Sequence, residues 1–452
     1  MPPTADPVAV LRSRRYLVLL VLAGIIGVPV SAAAWGFLAL VSKLQGWLFT
    51  SLPSGLGFHG EPVWWPLPLL GVAGLLVGLT IRYLPGTGGH SPADGLQPGS
   101  PTPAELPGVF LAALASLALG AVIGPEAPLI ALGGGLAAAL LRLSRRPVPA
   151  NATTVVAAAG AFAAISTLLG SPIVSAFLLM EMIGLGGASL ELVLLPGLLA
   201  AGIGALIFVG LGTWSGLGTF SLAIPSLPHF AHPDVAEFGW AIVIGLAAAV
   251  AGVAIRRFAL VVRPHVESRL VLATPIIGLA VAGLAIAYTE GTGKASSDVL
   301  FSGQDALGPL IRHASAYTIP ALLLLLACKG LGYSLSMSAF RGGPVFPSLF
   351  LGAAGGIAMS HLPGLPLVPA VAMGIGATAA VMLRLPLTAV LLATLLLFSD
   401  GVAVMPVAIL AVVVAYIASL WIAPTSWPLP GTATAATPAE GPRNAKIGRA
   451  HV

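Results

Sequence analysis

Charge is what this sequence lacks most. Its 452 residues include twenty Lys and Arg and fifteen Asp and Glu, 8% in all, while 57% are hydrophobic. Soluble domains carry about 25% charged residues, and so few charges cannot coat a globule of this size. A soluble enzyme, a disordered chain and a nucleic-acid binder are excluded on that ground. The net charge of +5 is spread thinly, and in a membrane protein such basic residues mark cytoplasmic loops. Cysteine is the second absence. Cys328 alone allows no internal disulfide and no cysteine-built zinc site, and reads as a small apolar residue in a helix. Catalytic signatures are missing too. There is no H-E-x-x-H and no C-x-x-C, the eight histidines do not cluster, and Ser334 lacks a base partner. No enzymatic activity, cofactor or metal is expected.

Apolar runs are what the chain has in abundance. They cover about 16–42, 66–84, 107–142, 152–182, 190–211, 238–262, 270–288, 308–340, 344–360, 366–397 and 402–423. Several exceed one span and are interrupted by Gly or Pro. They read as helix pairs or helices broken inside the bilayer, giving roughly ten to eighteen helical segments. The first run follows Arg12, Arg14 and Arg15 and exceeds a signal-peptide core of roughly 7–15 residues. It is expected to be a retained span entered from the cytoplasm. Arg142, Arg145 and Arg146 read as one cytoplasmic loop, and Arg256, Arg257, Arg263 and Arg269 as another. The segment 425–452 is Pro/Thr/Ala-rich and expected to be disordered.

Internal repeats sharpen the picture. The pattern P-x-x-P-x-[IL]-x-L-G begins at Pro125 and again at Pro344, an offset of 219 residues. Gly160 with Pro172 matches Gly374 with Pro386 at offset 214. Gly86-Thr87-Gly88 with Asp94 matches Gly291-Thr292-Gly293 with Asp298 at offset 205. Three matches in one order imply two homologous halves, about 1–222 and 235–424. Duplication of this kind marks transporters, whose sites lie between the repeats.

Within the apolar runs the clearest charges are Glu126, Glu181, Lys329 and Arg384. Each is a functional candidate at membrane depth, and each can instead sit at an interface or in a buried pair. Glu126 lies in Gly124-Pro125-Glu126-Ala127-Pro128. Proline is tolerated at a helix start and not inside, so Glu126 is placed near a helix N-terminus within the membrane. Unpaired N–H groups there favour an anion. The carboxylate can fill that site, then leave once protonated, which makes a proton-controlled gate. A capping Glu with no further role is the plainer reading. Gly342-Gly343-Pro344-Val345-Phe346-Pro347 repeats the design without the acid, and the N–H groups of Val345 and Phe346 can face the ion. Two helix starts without a full positive charge bind weakly enough to release. Gly86-Thr87-Gly88-Gly89-His90-Ser91-Pro92 is a third Gly-rich element, where Thr87 or Ser91 can supply a hydroxyl. It is no P-loop, since Gly-Lys-[Ser/Thr] is absent.

Together these motifs resemble the CLC family of chloride channels and proton-coupled chloride exchangers, over about 60–424. Gly86 to His90 looks like the family's G-S-G-I-P, Gly124 to Pro128 like G-[RK]-E-G-P, and Gly343 to Pro347 like G-x-F-x-P. The run from Ser348 to Gly355 is similar to its S-L-F-x-G-A-x-x-G, and Arg384 to Thr388 to its R-A-P-L-T. The resemblance implies an all-α polytopic fold of two inverted repeats with tilted and broken helices, and a voltage-gated-type homodimer with one pore per subunit. It implies chloride and protons as partners, the lipid bilayer as setting, and Glu126 as gate. Thr87, Gly124, Ala127, Val345 and Phe346 then line the anion site. Without the CBS domains of many eukaryotic members, a bacterial inner-membrane protein is expected.

The departures are specific. Thr87 replaces a serine, and a gap can instead bring Pro92 onto the motif's proline. Pro344 stands where a chloride-facing N–H is expected, with Val345 at the Phe position. Met182 occupies the place of the exchangers' internal proton-transfer glutamate, leaving neighbouring Glu181 or a water chain for that role. The pore tyrosine has no clear equivalent: Trp427 is near the expected place and Tyr416 is too early. The fluoride branch's Met and Thr are absent. A passive anion channel stays open, as does a non-transporting scaffold or intramembrane enzyme.

Overall fold

A computed structural model describes residues 7–97, 99–143, 150–184, 188–215, 224, 229–230, 232–397 and 400–423. Their helices, in chain order, are α1 (Pro7–Leu11), α2 (Arg14–Gly46), α3 (Leu52–Gly55), α4 (Pro66–Tyr83), α5 (Leu106–Ala118), α6 (Glu126–Leu143), α7 (Ala150–Leu169), α8 (Pro172–Ile183) and α9 (Ala188–Ser215). They continue with α10 (Val235–Ser268), α11 (Leu270–Thr292), α12 (Gln304–Arg312), α13 (Ile319–Ala339), α14 (Val345–Met359), α15 (Leu367–Leu383), α16 (Pro386–Leu396) and α17 (Gly401–Ile422). Among the described residues there is no strand, only a single antiparallel bridge between Gly124 and Gly343. Nine of the described helices are long and apolar enough to cross a membrane. The fold is that of an all-α, multi-pass membrane protein.

The long apolar runs do break as their Gly and Pro residues imply. The run at 107–142 divides into α5 and α6, 152–182 into α7 and α8, and 366–397 into α15 and α16. Pro172 and Pro386 open α8 and α16, where a missing N–H costs nothing. Helices of 11 to 15 residues such as α8, α14 and α16 rise about 1.5 Å per residue. They fall short of a hydrocarbon core of about 30 Å, so at least one end of each stops at membrane depth.

One expectation fails. Arg256, Arg257 and Arg263 do not form a loop: all three lie inside α10, which runs 34 residues to Ser268, with Arg269 as its C-cap. A helix of that length rises about 51 Å, so it carries its arginines past the hydrocarbon without a turn. Hydropathy ended the segment at 262 because Arg263 follows two earlier arginines, Arg256 and Arg257, while the backbone has no reason to stop. Arg142 sits in the last turn of α6. Arg145, Arg146, Trp427 and the tail 425–452 lie outside the described residues.

The repeats appear as equivalent packing. A Cβ on Gly133 or Gly160 would collide with the other's backbone, so α6 and α7 cross in near backbone contact. Gly352 and Gly374 do the same for α14 and α15. These are the glycines paired by the offsets of 219 and 214. Small residues let helices approach where no hydrophobic effect drives them together. The Gly124–Gly343 bridge joins the segments leading into α6 and α14 antiparallel, so the two halves run in opposite directions there.

Lys329 is wholly buried in α13. Its Nζ donates to the carbonyls of Asp298 (2.9 Å), Val299 (3.1 Å), Leu300 (3.2 Å) and Phe301 (3.5 Å). It also lies 4.3 Å from the centre of the Phe350 ring. The Asp298 carboxylate accepts from the Tyr288 and Tyr317 hydroxyls. Burial and that carboxylate push the Tyr317 hydroxyl up, keeping it a donor. Cys328, one residue earlier, is buried in the same helix.

Candidate anion site

The site is assembled where α6 and α14 begin. Gly124 N–H donates to Gly343 O at 2.8 Å and Gly343 N–H to Gly124 O at 2.6 Å. This pair of bonds holds the two helix starts side by side. Helix N-termini leave several N–H groups unpaired and carry a partial positive charge, so their convergence favours negative charge. Glu126, the first residue of α6, places its carboxylate there and is fully buried. Its Oε1 accepts from Phe346 N–H at 2.9 Å, across from one half to the other. Its Oε2 has no hydrogen-bond partner among the described residues. A Cβ on either Gly124 or Gly343 would overlap the carboxylate, so both glycines are required for it to sit in this position.

Of the residues singled out in the sequence, Gly124, Glu126, Val345 and Phe346 are brought together and buried, with Ala127 half-buried beside them. Pro344 supplies no N–H but is used otherwise: its carbonyl accepts from the Tyr333 hydroxyl at 3.0 Å. Thr87 is exposed, in the left-handed region with φ of 49°, and its carbonyl accepts from Arg341 Nε. Ser91, the other hydroxyl candidate, is buried and lines a cavity of about 30 Å³ together with Ala127, Pro128, Arg341 and Gly342.

Glu181 lies away from these residues, on α8. Its Oε1 accepts from Leu387 N–H at 3.0 Å, and Oε2 from Thr388 N–H at 2.9 Å and the Thr388 hydroxyl at 2.7 Å. Both oxygens cap the first turn of α16, a position where a negative charge also meets the helix dipole. Glu181→Ala should therefore cost about 1–2 kcal/mol of stability. A lower thermal unfolding midpoint of the detergent-purified protein checks this, and an unchanged midpoint would remove the capping role. Met182 is buried and lines a cavity of about 770 Å³ with Ile130, Leu179 and Arg142.

Tyr333 and Arg341 were not singled out by sequence. Tyr333 sits among apolar residues of α13 with no motif around it. Arg341 directly precedes Gly342-Gly343, and that adjacency is the one signal that could have found it. Ser334 Oγ donates to Gly330 O within its own helix at 2.9 Å. Among the described residues no three His, Cys, Asp or Glu side chains gather as a metal site.

The family model described as voltage gated chloride channel matches residues 73–420. The chain belongs to that family. This CLC chain is 30% identical over 365 residues to YfeO of Escherichia coli strain 55989, covering 78% of the chain and 82% of YfeO. Two solved structures share its fold. A slow cyanobacterial Cl⁻/H⁺ antiporter superposes with a TM-score of 0.72 at 20% identity, over 89% of this chain and 94% of that one. A CLC-type fluoride/proton antiporter superposes at 0.63 and 20% identity, over 91% and 98%.

Proposed function

We infer that this CLC protein moves chloride across a cell membrane through a pathway gated by Glu126, working as a homodimer. The observation that carries the reading is the buried carboxylate held by Phe346 N–H where two helix starts meet. Ionised, it fills the anion's position and blocks it. Protonated, it loses its charge and with it most of its attraction for the helix N-termini. Chloride then competes for the N–H groups of Phe346 and its neighbours. Partial charges rather than a full cation hold the ion, so it can leave again.

A second reading is favoured by two specific features. Methionine carries no proton, and the Glu181 carboxylate beside Met182 is engaged by three hydrogen bonds from α16. Both features support a passive channel over a coupled exchanger. Simultaneous chloride and proton flux from proteoliposomes at a clamped potential separates the two. Chloride flux without uphill proton movement is the expected result. Protons driven uphill by a chloride gradient would establish exchange, by a route that bypasses Met182. Flux no greater than from empty liposomes would remove the transport reading.

A further inference from the structure

The cavity of about 770 Å³ beside Met182 is a cleft among α6, α7 and α8 that the anion site does not use. Its lining changes character along its length. Along α6 it runs from Ile130 to Arg142, a rise of about 18 Å. That is slightly more than half of a hydrocarbon core of about 30 Å, the depth of one leaflet. Arg142 is exposed in the last turn of α6 and marks the cytoplasmic end. α7 packs back antiparallel, with Gly133 meeting Ala164 and Gly134 meeting Ala157. Thr153 and Thr154, in the first turns of α7, therefore stand at the level of Arg142. At the other end the walls are apolar, with Ile130, Ala161 and Leu179 all buried. The volume divided by the length gives a mean cross-section of about 43 Å². Carbon chains in contact lie about 4 Å apart, so each takes roughly 16–20 Å² of section. The cleft is wide enough for two such chains and too wide for one.

Apolar cavities exclude water and take up apolar molecules, so hydrocarbon suits the deep end. The rim asks for something else. No ion pair among the described residues includes Arg142. Its guanidinium presents parallel N–H groups that match two oxygens of a phosphate, and basic pockets between membrane helices on the cytoplasmic side suit lipid head groups. We propose that this cleft holds one two-chain anionic phospholipid of the cytoplasmic leaflet, with its phosphodiester on Arg142 and its acyl chains against Ile130, Ala161 and Leu179. The Thr153 and Thr154 hydroxyls stand beside the glycerol and ester oxygens, where the polar lining gives way to the apolar one. Met182 keeps its wall apolar, and an unbranched thioether adapts to irregular chains. An ionised side chain at that position would face hydrocarbon. This site goes beyond the transport reading and does not depend on it.

The test is native mass spectrometry of detergent-purified protein titrated with dimyristoyl phosphatidylglycerol, dimyristoyl phosphatidylcholine or sodium myristate. Wild type should bind its first phosphatidylglycerol about fivefold more tightly than phosphatidylcholine, the worth of one basic residue near a membrane surface. Arg142→Gln should bind the two lipids alike. Ala158 lines the cleft and is half-buried, so the ring of Ala158→Phe fills it. That variant should lose the first tight adduct of phosphatidylglycerol and keep only the weak ones of the outer surface. Equal affinity of wild type for both lipids, or a preference that survives in Arg142→Gln, overturns the proposal. An undiminished first adduct in Ala158→Phe places the lipid elsewhere and overturns it too. Myristate that binds more tightly than phosphatidylglycerol and displaces it would give the cleft to a free fatty acid, against the proposal. If the unfolding midpoint shows that Ala158→Phe does not fold, Arg142→Gln decides, because an exposed side chain at a helix end is replaced there without touching the core.

Discussion

Glu126→Gln should make anion flux nearly independent of pH and raise it at neutral and alkaline pH. On the proposed mechanism the gate opens when the carboxylate takes a proton, so wild-type flux should be highest at low pH and fall as pH rises. Above the titration midpoint the protonated fraction drops about tenfold per pH unit, and flux should follow it. An amide has nearly the shape of the protonated acid but cannot ionise. It therefore presents one protonation state at every pH, and no negative charge competes for Phe346 N–H. At one or two pH units above the wild-type midpoint the variant should run roughly ten- to a hundredfold faster. The measurement is chloride efflux from proteoliposomes at several pH values, side by side. A variant that retains the wild-type pH profile would show that another group titrates, and Glu126 would then be a helix cap and nothing more.

The second large effect is structural. Lys329→Met should destabilise the protein severely. The two side chains are of similar length, but thioether replaces the donor that now serves four backbone carbonyls. Each buried carbonyl left without a donor costs about 1–3 kcal/mol. The carbonyls also turn towards a single point only because residues 298–301 are tightly bent, with Phe301 held at φ of 60°. That strain needs a compensating contact. Phe301 N–H in turn donates to Gly120 O, in the turn between α5 and α6 that leads to Glu126. Loss of the ammonium should therefore disturb the turn leading to Glu126 as well as stability. Lys329→Arg should not rescue, because a planar fork cannot converge on four oxygens as a compact ammonium can. A sharply lower unfolding midpoint of purified Lys329→Met is the expected readout. An unchanged midpoint would mean that water can satisfy the carbonyls and that the lysine is dispensable.

Much of this was open to sequence reasoning because the controlling physics is local. Proline at Pro172 and Pro386 stops one helix and starts the next through its own ring and missing N–H. Gly133 and Gly160, repeated as Gly352 and Gly374, mark close crossings because only a residue without a side chain allows them. Glu126 between two prolines announced a carboxylate at a helix start within an apolar run. Composition alone excluded water as the solvent.

Other features were out of reach for a physical reason. Arginine inside a membrane helix and arginine in a loop have the same hydropathy, so the continuation of α10 through Arg256, Arg257 and Arg263 could not be read. Lys329 had no nearby acid in the sequence to explain it, since its partners are carbonyls, which every residue has. The role of Glu181 depended on α16 starting beside it, 206 residues later. The contact of Glu126 with Phe346 crosses 220 residues, and Arg341 reaches Thr87 across 254.

The sequence by itself thus determined the all-α membrane class, the duplication, the broken helices and the acid at the start of α6. These follow from solvent, backbone geometry and spacing, which act over a few residues. Only the tertiary structure decided which helix starts face each other, that Glu126 is held from the opposite half, that Glu181 caps a neighbour, and that Arg341 borders the cavity beside Ala127. Those facts depend on two halves folding against one another, and no local rule carries the distance between them.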